Sequence, residues 1–524
     1  MAYNNETVNN RKRIFGFATY PEVVMYDKPK NGKAVQHLIF GDYINLLPNN
    51  QQEVKEKNDL IFVRARGDNG WIKKEKVQKD RILEINFVDI GQGDGCHIVM
   101  PDDKQIIIDA GEEDNMYRFL SWRYNLRKHS NRMHNITAII THPDMDHYNG
   151  FNPLFEENQL GFTKIYHNGI VERDNDVSPV GAFTIIKKKK FLADVIEDDA
   201  SFKTLVNDPA KRGKKKFLNT LHKAVTNTSN TDIIFEMLHE GKKFVPGYEE
   251  DKKVSLKILG PVAEKDENNK PCLKYFSNLG VTKNGHSVSL MLKIGKLKIF
   301  LGGDLNIPAE NYLLKYFTDK DPGFIKKKLH KETDPVKIEK YLQDLENVVK
   351  KGREVYEAHI AKSCHHGSHH FTTEFLRSVN SIATVISSGD NESYGHPRPD
   401  ALGAYGKYGR GERPLIFSTE LARSHREIIK KPHQLRKGIN FKVKELDRET
   451  DPVKKEKIQA SLNKLLNKIE RTVAVYGMIN VRTDGEKVII CQKLEKPRSA
   501  GQKWDIHELE YNDSIGDFEY KINF

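Results

Sequence analysis

The segment of the chain with the highest density of chemically active side chains is Thr-His-Pro-Asp-Met-Asp-His-Tyr-Asn-Gly, at positions 141–150. The apolar run 135–140 precedes it, so we expect its polar side chains to project from a loop at the end of a strand. Two alternating donors followed by an adjacent Asp-His pair can divide between two neighbouring metal ions. The segment therefore predicts a binuclear metal site, in which Asp144 or Asp146 would also take a proton from water. The four predicted ligands are His142, Asp144, Asp146 and His147.

Two segments of the chain resemble a known family. The loop at 141–150 is similar to the His-x-His-x-Asp-His motif of the metallo-β-lactamase superfamily, with Asp144 where a second histidine is usual. The segment 88–111, VDIGQGDGCHIVMPDDKQIIIDAG, resembles the first two strands of the branch that includes the hydrolase domain of the DNA-uptake protein ComEC/Rec2. The resemblance implies an α/β fold, the metallo-β-lactamase αββα sandwich, and a metal-dependent hydrolase.

The resemblance also assigns roles to residues on either side of this loop. Asp94 and Asp109 lie at predicted strand ends, where they would orient the ligating histidines. Asp304 follows a predicted strand in a Gly-Asp pair and would bridge the two ions through its two oxygens. His286 matches a ligand histidine of the broad superfamily, but its Asn-Gly-His-Ser context also matches the Asn-x-x-Ser of the ComEC-like branch. The sequence leaves ligation by His286 open.

Histidines further along the chain complete the expected site. The segment that begins with His365 and His366 matches the His-His-Gly-Ser of the same branch, and we assign His365 as the ligand and His366 to a supporting or substrate-facing role. A later segment resembles an Asn-x-Tyr-Gly-His-Pro element with one extra residue, and it supplies Asn391, His396 and Arg398. His396 would bind a metal or the scissile phosphate, and Arg398 would neutralise that phosphate.

The first 80 residues predict short strands separated by polar turns. Within 60–78 we expect a strand, a Gly-Asp-Asn-Gly turn and a second strand that Trp71 opens. Gly-Trp followed by a β-branched residue resembles the end of a bacterial SH3-like domain, and an unrelated β cap on the main domain is the alternative. We therefore predict a small SH3-like β-barrel at 1–80 and a hydrolase domain at 81–524.

The hydrolase domain is predicted to contain lysine-rich helical insertions. Strands interleaved with helices favour a layered α/β architecture, and three lysine-rich segments interrupt them. Two of these segments contain the similar stretches Glu-Thr-Asp-Pro-Val-Lys from Glu332 and from Glu449, in which an aspartate N-cap precedes a proline at the first helical position. We expect two similar helices with a structural role, and binding of a partner is the alternative. The predicted insertions lie near 171–250, 307–357 and 423–471.

The charge of the chain favours polyanionic partners. It has 85 basic and 73 acidic residues, a net charge of +12 and an isoelectric point near 9.1. The four lysines of one run are candidate contacts for nucleic acid, and a solvated surface is the alternative. These residues are Lys187, Lys188, Lys189 and Lys190.

Composition also bears on location. No apolar stretch approaches the roughly 18 residues of a membrane span. The amino terminus lacks a basic start followed by an apolar run, and the four cysteines lack the paired spacing of disulfide or zinc frameworks. We therefore expect a cytoplasmic protein with reduced thiols and no membrane association.

The expected reaction is hydrolysis. Two adjacent divalent ions lower the pKa of a water between them and stabilise charge on the attacked centre and the leaving oxygen. Asp144 in place of an imidazole makes one subsite harder, which favours Mn²⁺ or Mg²⁺ without excluding Zn²⁺. Together with the basic segments and the resemblance, this predicts a phosphodiesterase or nuclease that cleaves DNA or RNA.

Two other functions stay open at this point. One is a small-molecule phosphoester hydrolase acting on phosphocholine esters or cyclic nucleotides. The other is a nucleic-acid-binding scaffold with a vestigial site. The amino-terminal barrel would offer a place for a protein partner in either case.

Overall fold

The computed structural model describes most of the chain, and every structural statement refers to the described part. The described residues are 3–8, 11–47, 54–126, 128, 131–174, 176, 178–230, 232–389, 394–419, 432–475, 477–494 and 496–522.

The amino-terminal residues form one antiparallel sheet with its own apolar core. Its path runs β1-β2-β5-β7-β8-β3-β4, with β6 paired to β7 and β9 to β2. Its core includes Met25, Leu38, Ile61 and Ile72. The resemblance to an SH3-like barrel and the domain boundary at residue 80 stay predictions. The strands are β1 Asn4–Val8, β2 Arg11–Ala18, β3 Glu22–Tyr26, β4 Ala34–Ile39, β5 Tyr43–Leu46, β6 Glu56–Lys57, β7 Leu60–Ala65, β8 Asp68–Lys73 and β9 Val77–Gln78.

The predicted Gly-Asp-Asn-Gly turn of this sheet was wrong by about two residues. Ala65 pairs with Asp68, so the hairpin turn consists of Arg66 and Gly67 alone. Both have positive φ, 48° and 90°, which fits a two-residue turn that matches the twist of the strands. Trp71 therefore lies inside the second strand rather than opening it.

The remaining strands belong to two large sheets and one small sheet. In chain order they are β10 Leu83–Phe87, β11 Gly95–Val99, β12 Gln105–Ala110, β13 Met133–Ile140, β14 Leu160–His167, β15 Phe183–Ile186, β16 Lys189–Leu192, β17 Ile234–Met237, β18 Val254–Gly260, β19 Glu264–Lys265, β20 Pro271–Lys274, β21 Ser289–Ile294, β22 Leu297–Leu301, β23 Ile360–Lys362, β24 Ala383–Ile386, β25 Leu415–Ser418, β26 Ile479–Thr483, β27 Val488–Lys493, β28 Trp504–Asn512 and β29 Asp517–Lys521.

The two large sheets pack face to face around the main apolar core. One has ten strands in the order β17-β14-β13-β12-β11-β10-β26-β27-β28-β29, and the other has six in the order β18-β21-β22-β23-β24-β25. Ile85 and Ile98 of the first sheet share one buried cluster with Leu256, Leu290 and Ile299 of the second. The small sheet, β15-β16-β20-β19, lies beside them.

Helices cover the outer faces of both large sheets. In chain order they are α1 Asn115–Tyr124, α2 Met145–Tyr148, α3 Phe151–Glu156, α4 Asp199–Asn207, α5 Pro209–Arg212, α6 Lys216–Thr226, α7 Leu279–Gly285, α8 Ile307–Thr318, α9 Pro322–Leu329, α10 Pro335–Tyr356, α11 Thr373–Val379, α12 Pro399–Tyr408, α13 Pro432–Arg448 and α14 Pro452–Val475, with 3₁₀ turns at Lys74–Lys76, Glu240–Lys242 and Cys364–Gly367. No helix in the described residues is long and apolar enough to span a membrane.

The helical layers make the architecture a four-layer α/β arrangement. Phe119 of α1 and Phe217 of α6 pack on the outer face of the ten-stranded sheet. Leu313 of α8, Val348 of α10 and Phe375 of α11 cover the six-stranded sheet in the same way. The predicted α/β sandwich is therefore confirmed as a layer order, because each sheet buries one face on the other sheet and one on helices.

The two predicted similar helices are present. α10 begins after Asp334, whose side chain accepts a hydrogen bond from the Val336 amide. α14 begins after Asp451, whose Oδ1 accepts one from the Val453 amide at 2.8 Å. In both helices the aspartate binds a free amide of the first turn and the proline occupies the first position, as the sequence indicated.

The segment 171–250 is not purely helical, which corrects the prediction. It contains α4, α5 and α6 but also β15, β16 and β17, and β17 pairs in parallel with β14 as the edge of the ten-stranded sheet. The segment 307–357 forms α8, α9 and α10, which cover the six-stranded sheet. These segments are therefore part of the layers. Of 423–471, residues 423–431 lie outside the described part, and the rest forms α13 and most of α14.

A buried ion-pair cluster joins the ten-stranded sheet to α1. Glu84 on β10 accepts hydrogen bonds from Arg482 at 2.6 Å and from Arg123 at 2.7 Å, and it is 3% exposed. Burial raises the pKa of this carboxyl, but the two guanidinium groups outweigh burial and hold it well below its usual range. The stabilisation is present above the unfolded pKa and is lost as the pH falls through the folded one.

We expect Glu84→Gln to destabilise the protein by about 3 kcal/mol at pH 7, because it removes the counter-charge of Arg123 and leaves the buried Arg482 with only Asp42, 3.9 Å away. Urea unfolding checks the value. The matched control is Glu346→Gln, which removes an exposed pair with Arg377 at 2.7 Å and is expected to cost less than about 1 kcal/mol. Equal losses in the two variants would contradict the prediction.

Candidate metal centre

The metal loop, residues 141–150, lies between β13 and α3. It contacts the glycine-rich turn that contains Gly93. A Cβ atom on Gly93 would lie 1.7 Å from the carbonyl oxygen of Asp146, so only glycine allows this approach. Gly93 has a φ of 97°, and the amide of Asp94 donates to the same Asp146 oxygen at 3.3 Å. The glycine-rich turn that the sequence showed therefore brings Asp94 next to the metal loop.

His147 is fixed by Asp109, as predicted from strand-end positions. Nδ1 of His147 donates to Asp109 Oδ2 at 2.8 Å. The same carboxylate accepts from the amide of Thr141 at 2.8 Å and from its hydroxyl at 2.7 Å. Both ionisable side chains are buried. Because Nδ1 is used in this way, only Nε2 of His147 is left to face the site.

His366 is held by a backbone carbonyl and lies beside Asp94. Its Nδ1 lies 3.1 Å from Asp94 Oδ1 and donates to the Ser387 carbonyl at 3.2 Å. Asp94 also forms a buried ion pair with Lys362, whose Nζ donates to the Gly303 carbonyl at 3.1 Å. Burial raises the pKa of Asp94, but Lys362 and His366 bring it down to about 2. Asp94 is therefore ionised and can orient His366.

Asp304 is the carboxylate on which the imidazoles converge. Its Oδ2 lies 3.2 Å from His366 Nε2, 3.4 Å from His147 Nε2 and 3.8 Å from His365 Nε2. Its amide donates to the hydroxyl of Ser287 at 2.9 Å, which fixes the end of β22. Burial opposes ionisation of Asp304, yet the nearby imidazoles hold its pKa well below the usual range.

These side chains fit a metal ion. Groups with ligand atoms within 4.8 Å of one another include His142 with His147 and Asp304, and Asp146 with His147 and His366. The Nε2 atoms of His142, His147 and His366 are buried and make no hydrogen bond. Buried polar atoms are rarely left without partners, so three converging imidazole nitrogens around carboxylates indicate a cation site.

The predicted ligands differ in how closely they approach this cluster. Asp146 belongs to it, with Oδ2 at 3.7 Å from His366 Nε2. Asp144 lies to one side: its Oδ2 is 3.6 Å from His142 Nε2, and its Oδ1 is 2.5 Å from Nζ of Lys283. Asp144 is in none of the metal-binding groups found among the described residues.

His286, whose ligation the sequence left open, is turned away from the centre. Its Nε2 donates to the carbonyl of Lys274 at 2.7 Å, and its ring stacks on Phe276 with centroids 4.9 Å apart. Burial lowers the pKa of His286 to about 4, so the ring is neutral at pH 7. His286 is therefore not placed to bind an ion at this centre. The neighbouring Ser287 faces the site instead, 3.2 Å from His142 Nδ1.

The choice of His365 over His366 also needs correction. His366 is 2% exposed and belongs to the cluster, whereas the side chain of His365 is 20% exposed and lies at its edge. Both residues have left-handed backbone conformations, with φ of 50° and 53°. Two consecutive left-handed residues are strained for non-glycine side chains, and this turn directs His366 inward.

The remaining predicted residues lie at the rim. The ring of His396 is 5.9 Å from that of His365 and 6.2 Å from that of His366. Burial lowers the pKa of His396 to about 4. Arg398 is exposed. Its backbone amide donates to the Gly367 carbonyl at 2.8 Å, so the segment around Arg398 is attached to the turn that contains His365 and His366. Asn391 lies outside the described residues.

The lysine run forms the tip and one strand of the β15–β16 hairpin. Lys187 and Lys188 occupy the turn with positive φ, and all four lysines are exposed. Nζ of Lys190 lies 3.8 Å from the centre of the Phe183 ring. Contact of this run with nucleic acid stays a prediction. Lys216 is closer to the metal loop, since its Nζ lies 3.5 Å from Sδ of Met145.

Two site lysines were missed by the sequence interpretation. Lys362 follows two apolar residues in the short buried strand Ile-Ala-Lys, and a charge in a buried strand is a signal for a buried ion pair. Lys283 carried no such signal, because its local sequence is that of an ordinary helix surface. Its partners come from segments 111 and 139 residues away.

Comparisons with known proteins give a distant structural likeness. No protein-family model and no curated protein matches the chain. A solved metal-dependent hydrolase of the beta-lactamase superfamily is 10% identical, with a TM-score of 0.30, covering 64% of this chain and 95% of that one. A protein of unknown function from Enterococcus faecalis V583 is 9% identical, with a TM-score of 0.22, covering 64% of this chain and 76% of that one.

We expect Asp109→Asn to weaken divalent-ion binding by about 10- to 100-fold, because an amide holds Nδ1 of His147 less firmly and in either orientation. Competition with a chelator measures this affinity. The control is Asp103→Asn, at an exposed position with a left-handed φ of 71° that asparagine tolerates. Unchanged affinity in Asp109→Asn would mean that the carboxylate does not hold the ligand.

Proposed function

We propose that the protein is a metal-dependent hydrolase of the metallo-β-lactamase type that cleaves phosphodiester bonds in DNA or RNA. The observation that carries the proposal is the convergence of three hydrogen-bond-free imidazole nitrogens on Asp304 and Asp146. Such a donor set suits a divalent ion, and it lies at the ends of strands from two different sheets. A site built this way is typical of hydrolytic metal centres.

The residues of this chain would hold and orient the ion and its ligands. Asp146, His147, Asp304 and His366 would bind it, with His142 beside them. A bound divalent ion supplies a Lewis acid that activates water and stabilises charge on a phosphoryl oxygen. Asp109 and Asp94 keep the ring nitrogens of the two central histidines facing the ion. Mn²⁺, Zn²⁺ or Mg²⁺ is compatible with this mixed oxygen and nitrogen set.

Basic side chains around the site support a phosphate substrate. Lys216 is exposed and adjoins the metal loop through Met145. Arg398 is exposed and lies beside the turn that contains His365 and His366. Both basic side chains can neutralise phosphates of a bound substrate. Lys187–Lys190 would extend this contact to a longer polynucleotide.

The decisive experiment is cleavage of linear double-stranded DNA, single-stranded DNA and RNA by metal-stripped protein, with Mn²⁺, Mg²⁺ or Zn²⁺ restored. Asp146→Ala is the control variant, because Asp146 faces His366 and lies on the partly exposed side of the cluster. We expect metal-dependent cleavage that the variant lacks.

Two outcomes would contradict the proposal. If metal binds but no polynucleotide is cut, small phosphodiesters such as a cyclic nucleotide become the substrates to test. If no metal binds and nucleic acid is still bound, the protein is a binding scaffold with a vestigial site.

A further inference from the structure

Asp144 forms an ion pair with a lysine side chain of the same chain. Its Oδ1 lies 2.5 Å from Nζ of Lys283, and the same ammonium lies 2.8 Å from Oε1 of Glu172. The amide of Asn284, oriented to satisfy both its polar groups, donates to Asp144 Oδ2 at 2.7 Å and to the Gly280 carbonyl at 3.0 Å. Both oxygens of Asp144 therefore have protein partners.

These partners are held in place by the fold. Lys283 and Asn284 lie in the last turn of α7, which begins after Asn278, whose side chain accepts a hydrogen bond from the Val281 amide. The side chain of Lys283 is only 16% exposed, between two carboxylates. A lysine in such a position has few other rotamers, so its charge is fixed beside Asp144.

The candidate ligands other than Asp144 offer enough free donor atoms for one ion but share a key nitrogen between two. His147 occurs in both His142–His147–Asp304 and Asp146–His147–His366, but only its Nε2 is available, since Nδ1 donates to Asp109. A single nitrogen binds a single ion. On the His142 side, Asp304 would be shared with the first ion, and the other carboxylate near His142 is Asp144, which already faces an ammonium group.

We propose that the centre takes one divalent ion per chain and that Lys283 neutralises Asp144 in the place of a second ion. The inference rests on the proposed function, since it concerns the same centre. A second cation between His142 and Asp144 would lie close to the Lys283 ammonium and be repelled by it. Glu172 strengthens the effect, because it keeps Lys283 in position through a second ion pair.

The first test is metal content. Metal-stripped protein is dialysed against Mn²⁺, and bound ions per chain are counted by native mass spectrometry. We expect one ion in the wild type and two in Lys283→Met, which leaves Asp144, beside His142, and Glu172 without their ammonium partner. The matched control is Lys320→Met, which removes a similar pair with Asp344 on the outer helical layer and is expected to keep one ion.

A second variant keeps the proposal falsifiable if Lys283→Met does not fold. Asp144→Asn is expected to keep one ion, because Asp144 is not needed to bind it. Two ions in the wild type, one ion in folded Lys283→Met, or no ion in folded Asp144→Asn would each overturn the inference. No ion in the wild type would instead overturn the proposed metal-dependent function, so the two failures are distinguishable.

Discussion

Replacing Asp304 by asparagine is expected to lower metal-dependent cleavage by about a thousandfold, equivalent to about 4 kcal/mol in the barrier. The carboxylate is buried and lies within 3.2 to 3.4 Å of Nε2 of His366 and of His147. An amide of the same shape removes the negative charge that would bind the ion, while the packing around β22 stays the same. We therefore expect activity and bound metal to fall together.

The measurement is the cleavage rate at saturating Mn²⁺, together with bound metal and the urea midpoint. The matched control is Asp319→Asn, because Asp319 is exposed and has a left-handed φ of 62°, where asparagine is favoured. This control should have wild-type activity. Retention of both activity and metal by Asp304→Asn would show that the centre does not use this carboxylate.

Replacing His366 by glutamine is expected to lower the cleavage rate by more than about a hundredfold, above the usual loss for residues that only orient a ligand. The reason is geometric: His366 Nε2 is buried, makes no hydrogen bond and faces both Asp304 and Asp146. His365→Gln should lower the rate by less than about tenfold, because His365 stands at the edge of the cluster.

This pair of variants also separates the two histidines by metal affinity. His366→Gln should lose the ion under chelator concentrations that leave His365→Gln loaded. The opposite order would restore the assignment made from the sequence. It would also mean that His365, and not His366, binds the ion despite its position at the edge of the cluster.

Local patterns predicted the starts of two helices and the position of the metal loop. The spacing of His142, Asp144, Asp146 and His147 after an apolar strand predicted a binuclear site, and the structure brings all of them except Asp144 into groups that could hold an ion. The N-cap aspartates before proline predicted the starts of α10 and α14 within a residue. These features depend on residues close together in the chain, so a sequence pattern contains them.

Longer-range contacts decided the rest of the centre. His286 faces the Lys274 carbonyl because β20 lies beside α7, and no local motif shows that neighbour. Lys283 reaches Asp144 and Glu172 across 139 and 111 positions, so its charge could not be placed from its own segment. Short motifs show which metal-binding side chains are present, but they do not show which of these side chains contact one another in the folded protein.

The sequence by itself predicted a divalent-ion site, since the types and spacing of His142, Asp144, Asp146 and His147 indicate one. Only the tertiary structure decided which histidine of 365–366 enters it and which carboxylate is already paired. The physical reason is that side-chain direction depends on backbone φ and on partners brought from other strands. For His366 these are a left-handed turn and the carboxylate of Asp94, which lies in another sheet's loop.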